Sequence, residues 1–220
     1  MVNSHPAVLA GARAAIEPLL ASGDDRILVG IAGPPAAGKS TLAATLASAL
    51  EHEFGPDAAV AVPMDGFHLA NAQLSRLGLT DRKGAPETFD GWGFAALLAR
   101  LRSPADGEVV YAPEYSRVLH ESIGGAIPVP AATRIIVVEG NYLLLPEVPW
   151  TSVRKLLDLV LYLDAATPVR VDALLRRQRS RGLAVAAAQD WVHRSDEVNA
   201  ALIETTKRYA DAVLTRPVPL

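Results

Sequence analysis

The feature that most constrains this chain is the run Gly33-Pro34-Pro35-Ala36-Ala37-Gly38-Lys39-Ser40-Thr41, set between a β-branched apolar segment and an Ala/Leu-rich stretch. It satisfies G-x-x-x-x-G-K-[ST], and strand before, helix after is the context that gives that pattern meaning. Its glycines let backbone N–H groups turn inward around phosphate oxygens, and the first turn of the following helix adds its positive dipole end. Lys39 offers a compact charge to β- and γ-phosphates, and Ser40 a hydroxyl for Mg2+. The expected ATP-binding set is therefore Gly33, Pro34, Ala36, Ala37, Gly38, Lys39, Ser40 and Thr41. A ligand-free Gly-rich turn is the competing reading, but it leaves a buried lysine without an anion, which is costly.

The elements around the loop point to one architecture. Residues 26–32 (RILVGIA), 58–63 (AAVAVP), 134–138 (RIIVV) and 159–163 (LVLYL) are short apolar runs. The last three end at Asp65, Glu139 and Asp164. Continuous apolar strands alternating with helical stretches indicate a parallel sheet buried on both faces, which binds ligands beyond the carboxyl ends of its strands. The expected fold is α/β, a P-loop NTPase three-layer α/β/α with a mostly parallel sheet and a helical lid. One domain over 1–220 is expected, with the lid and the following helix at 166–200. Residues 7–20 read as an amphipathic helix. The Gly/Pro-punctuated region 66–130 carries a helix near 94–102 and a short strand near 109–111. Pro168 is placed for a helix start, with an Arg-rich helix over 169–181, a further helix over 189–209 and a closing strand at 211–215.

Composition narrows the function classes. Twenty-one Lys plus Arg against 24 Asp plus Glu give a net charge of −3, no broad field for a polyanion, so no nucleic-acid partner is expected. Cysteine is absent, which excludes thiolate metal sites and a Cys nucleophile. The His residues lack zinc-motif spacing. No apolar run approaches the ~20 residues that cross a bilayer, and no charged segment followed by an apolar core opens the chain. A cytoplasmic protein without a membrane partner is expected.

A kinase needs a carboxylate at the acceptor hydroxyl to orient it and take its proton. Asp65, at the end of the strand after the loop's helix, is placed for that role, against a rival role in an Asp-Gly turn with Gly66. Glu139 stands where a Walker B acid would, near Mg2+. Among the arginines of 169–181, Arg176 and Arg181 are the candidates to reach the transferring phosphoryl group, with Arg176 taken as the catalytic one. Arg170, Arg177 and Arg179 are read as a solvated face. None of Asn3, Asn71, Asn141 or Asn199 begins the N-K-x-D run of GTPases. The competing function classes are an ATP-binding regulator with little transfer activity and a nucleic-acid-acting ATPase.

Met64-Asp65-Gly66-Phe67-His68, the run 82–90 (RKGAPETFD), Pro113-Glu114-Tyr115-Ser116-Arg117 and Glu139-Gly140-Asn141-Tyr142 together resemble the phosphoribulokinase/uridine kinase/bacterial pantothenate kinase family, over about 26–217. Within it the chain is similar to small bacterial proteins named as nucleoside/nucleotide or fructose-transport-system kinases. The resemblance implies an ATP- and Mg2+-dependent kinase acting on a small-molecule acceptor, with Asp65 as base, Lys39 and Ser40 as phosphate and metal ligands, and Glu139 near the metal. It further implies acceptor contacts from Asp65, His68, Lys83, Tyr115, Arg117 and His120. Arg117 and Arg82 are suited to an acceptor carboxylate or phosphate. The run 206–211 (TKRYAD) is similar to a uridine-kinase segment that returns beside the nucleotide. Nucleosides, sugars and pantothenate-like acceptors all remain open, and a homodimer is one state that the relatives suggest.

Overall fold

The computed structural model describes residues 5–23 and 26–217. Helix α1 (Pro6–Ala21) leads to β1 (Ile27–Ala32), which enters the glycine loop and then α2 (Lys39–Phe54). Next come β2 (Ala59–Pro63), a 3-10 turn (Met64–Phe67), α3 (Asn71–Leu77) and α4 (Gly91–Arg102). Strands β3 (Val109–Ser116) and β4 (Glu121–Pro130) form an antiparallel hairpin, and β5 (Ile135–Gly140) returns to the main sheet. After α5 (Trp150–Lys155) and β6 (Leu159–Ala165) come α6 (Thr167–Ser180), α7 (Val185–Trp191), a π-helical turn (Val192–Asp196), α8 (Glu197–Glu204) and β7 (Ala212–Arg216).

The main sheet is parallel throughout, in the order β2-β5-β1-β6-β7. Its period-two alternation divides the core into two layers. Leu28, Ile136, Val138, Val160 and Tyr162 face a layer built with α4 and α5, while Ile27, Val29, Ile31, Ile135, Val137, Leu161 and Leu163 face α1 and α2. Helices on both faces of such a sheet make the three-layer α/β/α fold. Leu42, Leu46 and Leu50 repeat at helical spacing on α2 and are fully buried, so truncating any one to Ala costs about 2–5 kcal/mol. Among the described residues no helix is long and apolar enough to cross a membrane.

Two expectations change in detail. The strand near 109–111 extends to Ser116 and pairs with β4, a strand beyond those expected from the sequence. Half of β4 is solvent-exposed, Gly124-Gly125 included, so it shows little apolar alternation. The helix expected over 189–209 is broken by the π-helical turn and a 3-10 turn (Lys207–Tyr209). The 166–200 stretch expected to form the lid lies over the carboxyl edge of the sheet, and Ala173, Arg177, Gln178, Arg181, Trp191, Asp196 and Asn199 face the cavity there.

Candidate active site

The glycine loop is shaped by contacts that only its own residues allow. Gly33 has φ +146, and a Cβ there would stand 2.4 Å from the Leu163 carbonyl oxygen. Gly38 (φ +105) occupies the N-cap position of α2 with no side-chain cap, which leaves first-turn N–H groups turned toward the cavity for an anion. Ala36 takes a left-handed conformation, φ 61, which tightens the turn. Pro34 and Ala37 are buried behind the loop, whereas Ala36, Gly38, Lys39, Ser40 and Thr41 line the cavity itself.

Lys39 is 7 % exposed and donates to Pro34 O at 3.0 Å and Asn141 Oδ1 at 2.7 Å. Burial lowers its pKa to about 8, against the opposing charges of Glu139 and Asp65. Ser40 Oγ donates to Glu139 Oε1 at 2.8 Å. Glu139, 5 % exposed within β5, is pushed above the usual carboxylate range by burial and then by Asp65, with Lys39 pulling the other way. A hydroxyl and two mutually repelling carboxylates are hard oxygen donors that a magnesium ion would relieve.

Asp65 sits in the 3-10 turn after β2. The Asp-Gly pair there is set by packing, because a Cβ on Gly66 would lie 2.3 Å from Pro113 O of the hairpin. His68 Nδ1 donates to Asp65 O at 2.8 Å, and its ring stacks between Phe89 and Tyr115 at 4.0 and 4.7 Å. Burial lowers the His68 pKa. Lys83 Nζ donates to Asn71 Oδ1 and to His120 O and lies 5.2 Å from the Tyr115 ring centre. His120, at φ 55, closes the turn between β3 and β4. Tyr142 supports this wall from below by donating its hydroxyl to Gly84 O.

These groups line one cavity of about 760 Å³, within the range of small-molecule sites. The fold brings Lys39, Ser40, Asp65, His68, Lys83, Tyr115, Arg117, His120 and Glu139 together on its walls. Arg176 is a correction: it pairs with Asp172 four residues back, is 71 % exposed and does not line the cavity. Arg177 and Arg181 face in instead. Arg177 is an exposed residue at the cavity, and desolvation followed by the neighbouring Arg117 lowers its pKa. Arg170, read as solvated, is buried in an ion pair with Glu197 at 2.8 Å. Arg82 pairs with Glu87 away from the cavity, and Asp164 pairs with Lys207 at 2.6 Å. Sequence reasoning missed Asn141, Asp196, Asn199 and Arg216 on the cavity wall. The i, i+4 pairing of Asp172 with Arg176 was the available signal that Arg176 faces outward.

The sequence profile of the Phosphoribulokinase / Uridine kinase family matches residues 28–219. The chain belongs to that family. A Schizosaccharomyces pombe protein named as a candidate uridine kinase is 34 % identical over 195 residues, covering 86 % of this family member and 83 % of the yeast protein. A pantothenate kinase of Paenarthrobacter aurescens is 31 % identical, over 82 % of this chain and 58 % of its own length. The crystal structure of a Silicibacter protein, strain TM1040, named as a candidate fructose transport system kinase, superposes with a TM-score of 0.84. It is 36 % identical, with 94 % of this chain and 98 % of that one covered. The chain is thus a P-loop kinase of the uridine/pantothenate kinase type.

Proposed function

We propose that this kinase transfers the γ-phosphoryl group of ATP to a hydroxyl of a small metabolite, with Asp65 as the general base. The observation that carries the reading is that Lys39, Ser40, Glu139 and Asp65, from three different strand ends, line a single cavity. Asp65 orients the acceptor hydroxyl and takes its proton as the new O–P bond forms. The bond from the γ-phosphorus to the bridging oxygen breaks, and its electron pair leaves on ADP. Lys39 and Arg177 hold negative charge on the transferring group, a role that contributes through position rather than covalent chemistry.

Mg2+ would be held by the Ser40 hydroxyl and the Glu139 carboxylate, directly or through water, and would supply charge neutralisation across the β- and γ-oxygens. Among the described residues no three His, Cys, Asp or Glu side chains cluster as a protein-only metal site. That suits an ion that keeps waters and phosphate oxygens as ligands. The roles assigned to His68, Lys83, Tyr115, Arg117 and His120 are acceptor contacts along the same cavity.

ADP release above the no-acceptor background, measured with a panel of nucleosides, pantothenate, free hexoses and phosphorylated sugars, tests the reading. Asp65→Asn should keep Mg·ATP affinity within about twofold and cut turnover by about 10²–10⁴. Undiminished turnover in that variant removes Asp65 as the base.

A further inference from the structure

Charge is not spread evenly along the cavity. Around the loop, Lys39 responds to Glu139, Asp65, Arg177 and Arg170, and Glu139 also responds to Arg117. Arg181 reaches further along the wall: its charge is felt at Lys83, His120 and Tyr115 as well as at Arg177 and Asp196. Asp65 registers at both ends, acting on Lys39 and on Tyr115. Asp65 therefore shares one cavity with the loop's charges and with Lys83 and Arg181.

No carboxylate contacts either cation at the acceptor end, and Asp196, which feels Arg181, feels Arg177 more strongly. Among the described residues neither Lys83 nor Arg181 makes an ion pair; Arg181 Nη1 donates to Gln178 Oε1 at 3.2 Å, a neutral acceptor, and Lys83 is held by an amide oxygen and a carbonyl. The acid whose charge Lys83 does feel, Glu121, has both oxygens engaged with the Asn71 backbone N–H at 3.1 and 3.2 Å. Asp81 lines the cavity but does not register at Lys83 or His120. On the same helix, Arg170 and Arg176, which do not line the cavity, each pair with an acid. Two unpaired cations at the acceptor end repel each other and gain from an anion placed between them.

We propose that the acceptor carries, besides its reacting hydroxyl, an anionic group, phosphate or carboxylate, seated between Lys83 and Arg181 with His120 and Tyr115 beside it. This rests on the kinase reading and names the acceptor's chemical class. The hydroxyl faces Asp65, and the anion anchors the far end, so the two contacts fix the acceptor's orientation. Neutral nucleosides and free hexoses lack the anchor.

The test fills the phosphate loop first. The full chain, saturated with Mg·AMP-PNP, is titrated with inorganic phosphate followed by ³¹P line width, and separately with ¹³C-acetate followed by ¹³C line width. The arm that binds identifies the anion. Binding should weaken about tenfold or more in Lys83→Met and in Arg181→Gln, each checked for wild-type thermal stability, and should persist in Arg179→Ala, whose residue lies outside the cavity. In the acceptor panel, phosphorylated sugars and hydroxy acids should turn over in preference to neutral alcohols, with the preference lost in both variants. Nucleotide bound normally, with neither anion distinguishing wild type from the variants, overturns this proposal and leaves the kinase reading standing. Failure of Mg·AMP-PNP to bind the wild type ends both.

Discussion

Replacing Asp196 by Asn should stabilise the protein by an amount that grows with pH. Asp196 closes the π-helical turn, and its Oδ2 is buried without a hydrogen-bond partner. Burial raises its pKa from 3.8 to about 6, against the pull of Arg177 and a hydrogen bond from Gln178. Because the folded-state value lies above the unfolded one, the native state holds the proton more tightly. That contribution is complete below about pH 4 and is lost as pH climbs through 6. A rise of about two units corresponds to about 3 kcal/mol between the two limits, or about 6–12 °C in Tm for a chain of this size. The Asn side chain keeps an acceptor for Gln178 and never ionises. Thermal unfolding of both proteins from pH 4 to 7.5, compared at each pH so that other titrations cancel, should give a difference near zero at pH 4 and the full gain above pH 6.5. Turnover should fall several-fold, because Arg177 loses the carboxylate facing it, a stability cost retained for function. A difference that stays flat with pH, or an Asn variant less stable at neutral pH, refutes the reasoning.

Three further outcomes are expected. Gly33→Ala should lower nucleotide affinity by about 10² or more and stability by about 2–3 kcal/mol, since its Cβ would meet Leu163 O at 2.4 Å in a φ +146 conformation; calorimetry and urea melts check both. ATP affinity should be level below pH 8 and fall up to about tenfold per unit above it, because the free protein's Lys39 loses its proton at about 8; Lys39→Met should bind weakly with no such slope. Arg177→Ala should lose about 10²–10³ in kcat/KM while Arg176→Ala, whose residue is paired with Asp172 outside the cavity, stays within twofold, and steady-state kinetics that reverse this order would return the role to Arg176.

What the sequence determined by itself is local chemistry with a fixed spacing. The Gly33–Thr41 loop, the apolar runs on either side and the acids that close β2 and β5 are dictated within a few residues, because a phosphate cradle and a doubly buried parallel strand each demand particular side chains in an unbroken order. What only the tertiary structure decided is facing. On α6 the buried stripe runs through Arg170, Leu174 and Gln178, with Arg177 beside it at the cavity, and Arg176 falls outside it; a helix rich in arginine does not reveal its buried side until it is packed. β4 carries its partner's hydrogen bonds while half of it is exposed, Gly124, Gly125 and Ala126 among those residues, so its strand character resides in pairing with β3. Asn141, Asp196 and Asn199 reach the site from distant segments, and their roles come from the burial and neighbours that the fold imposes.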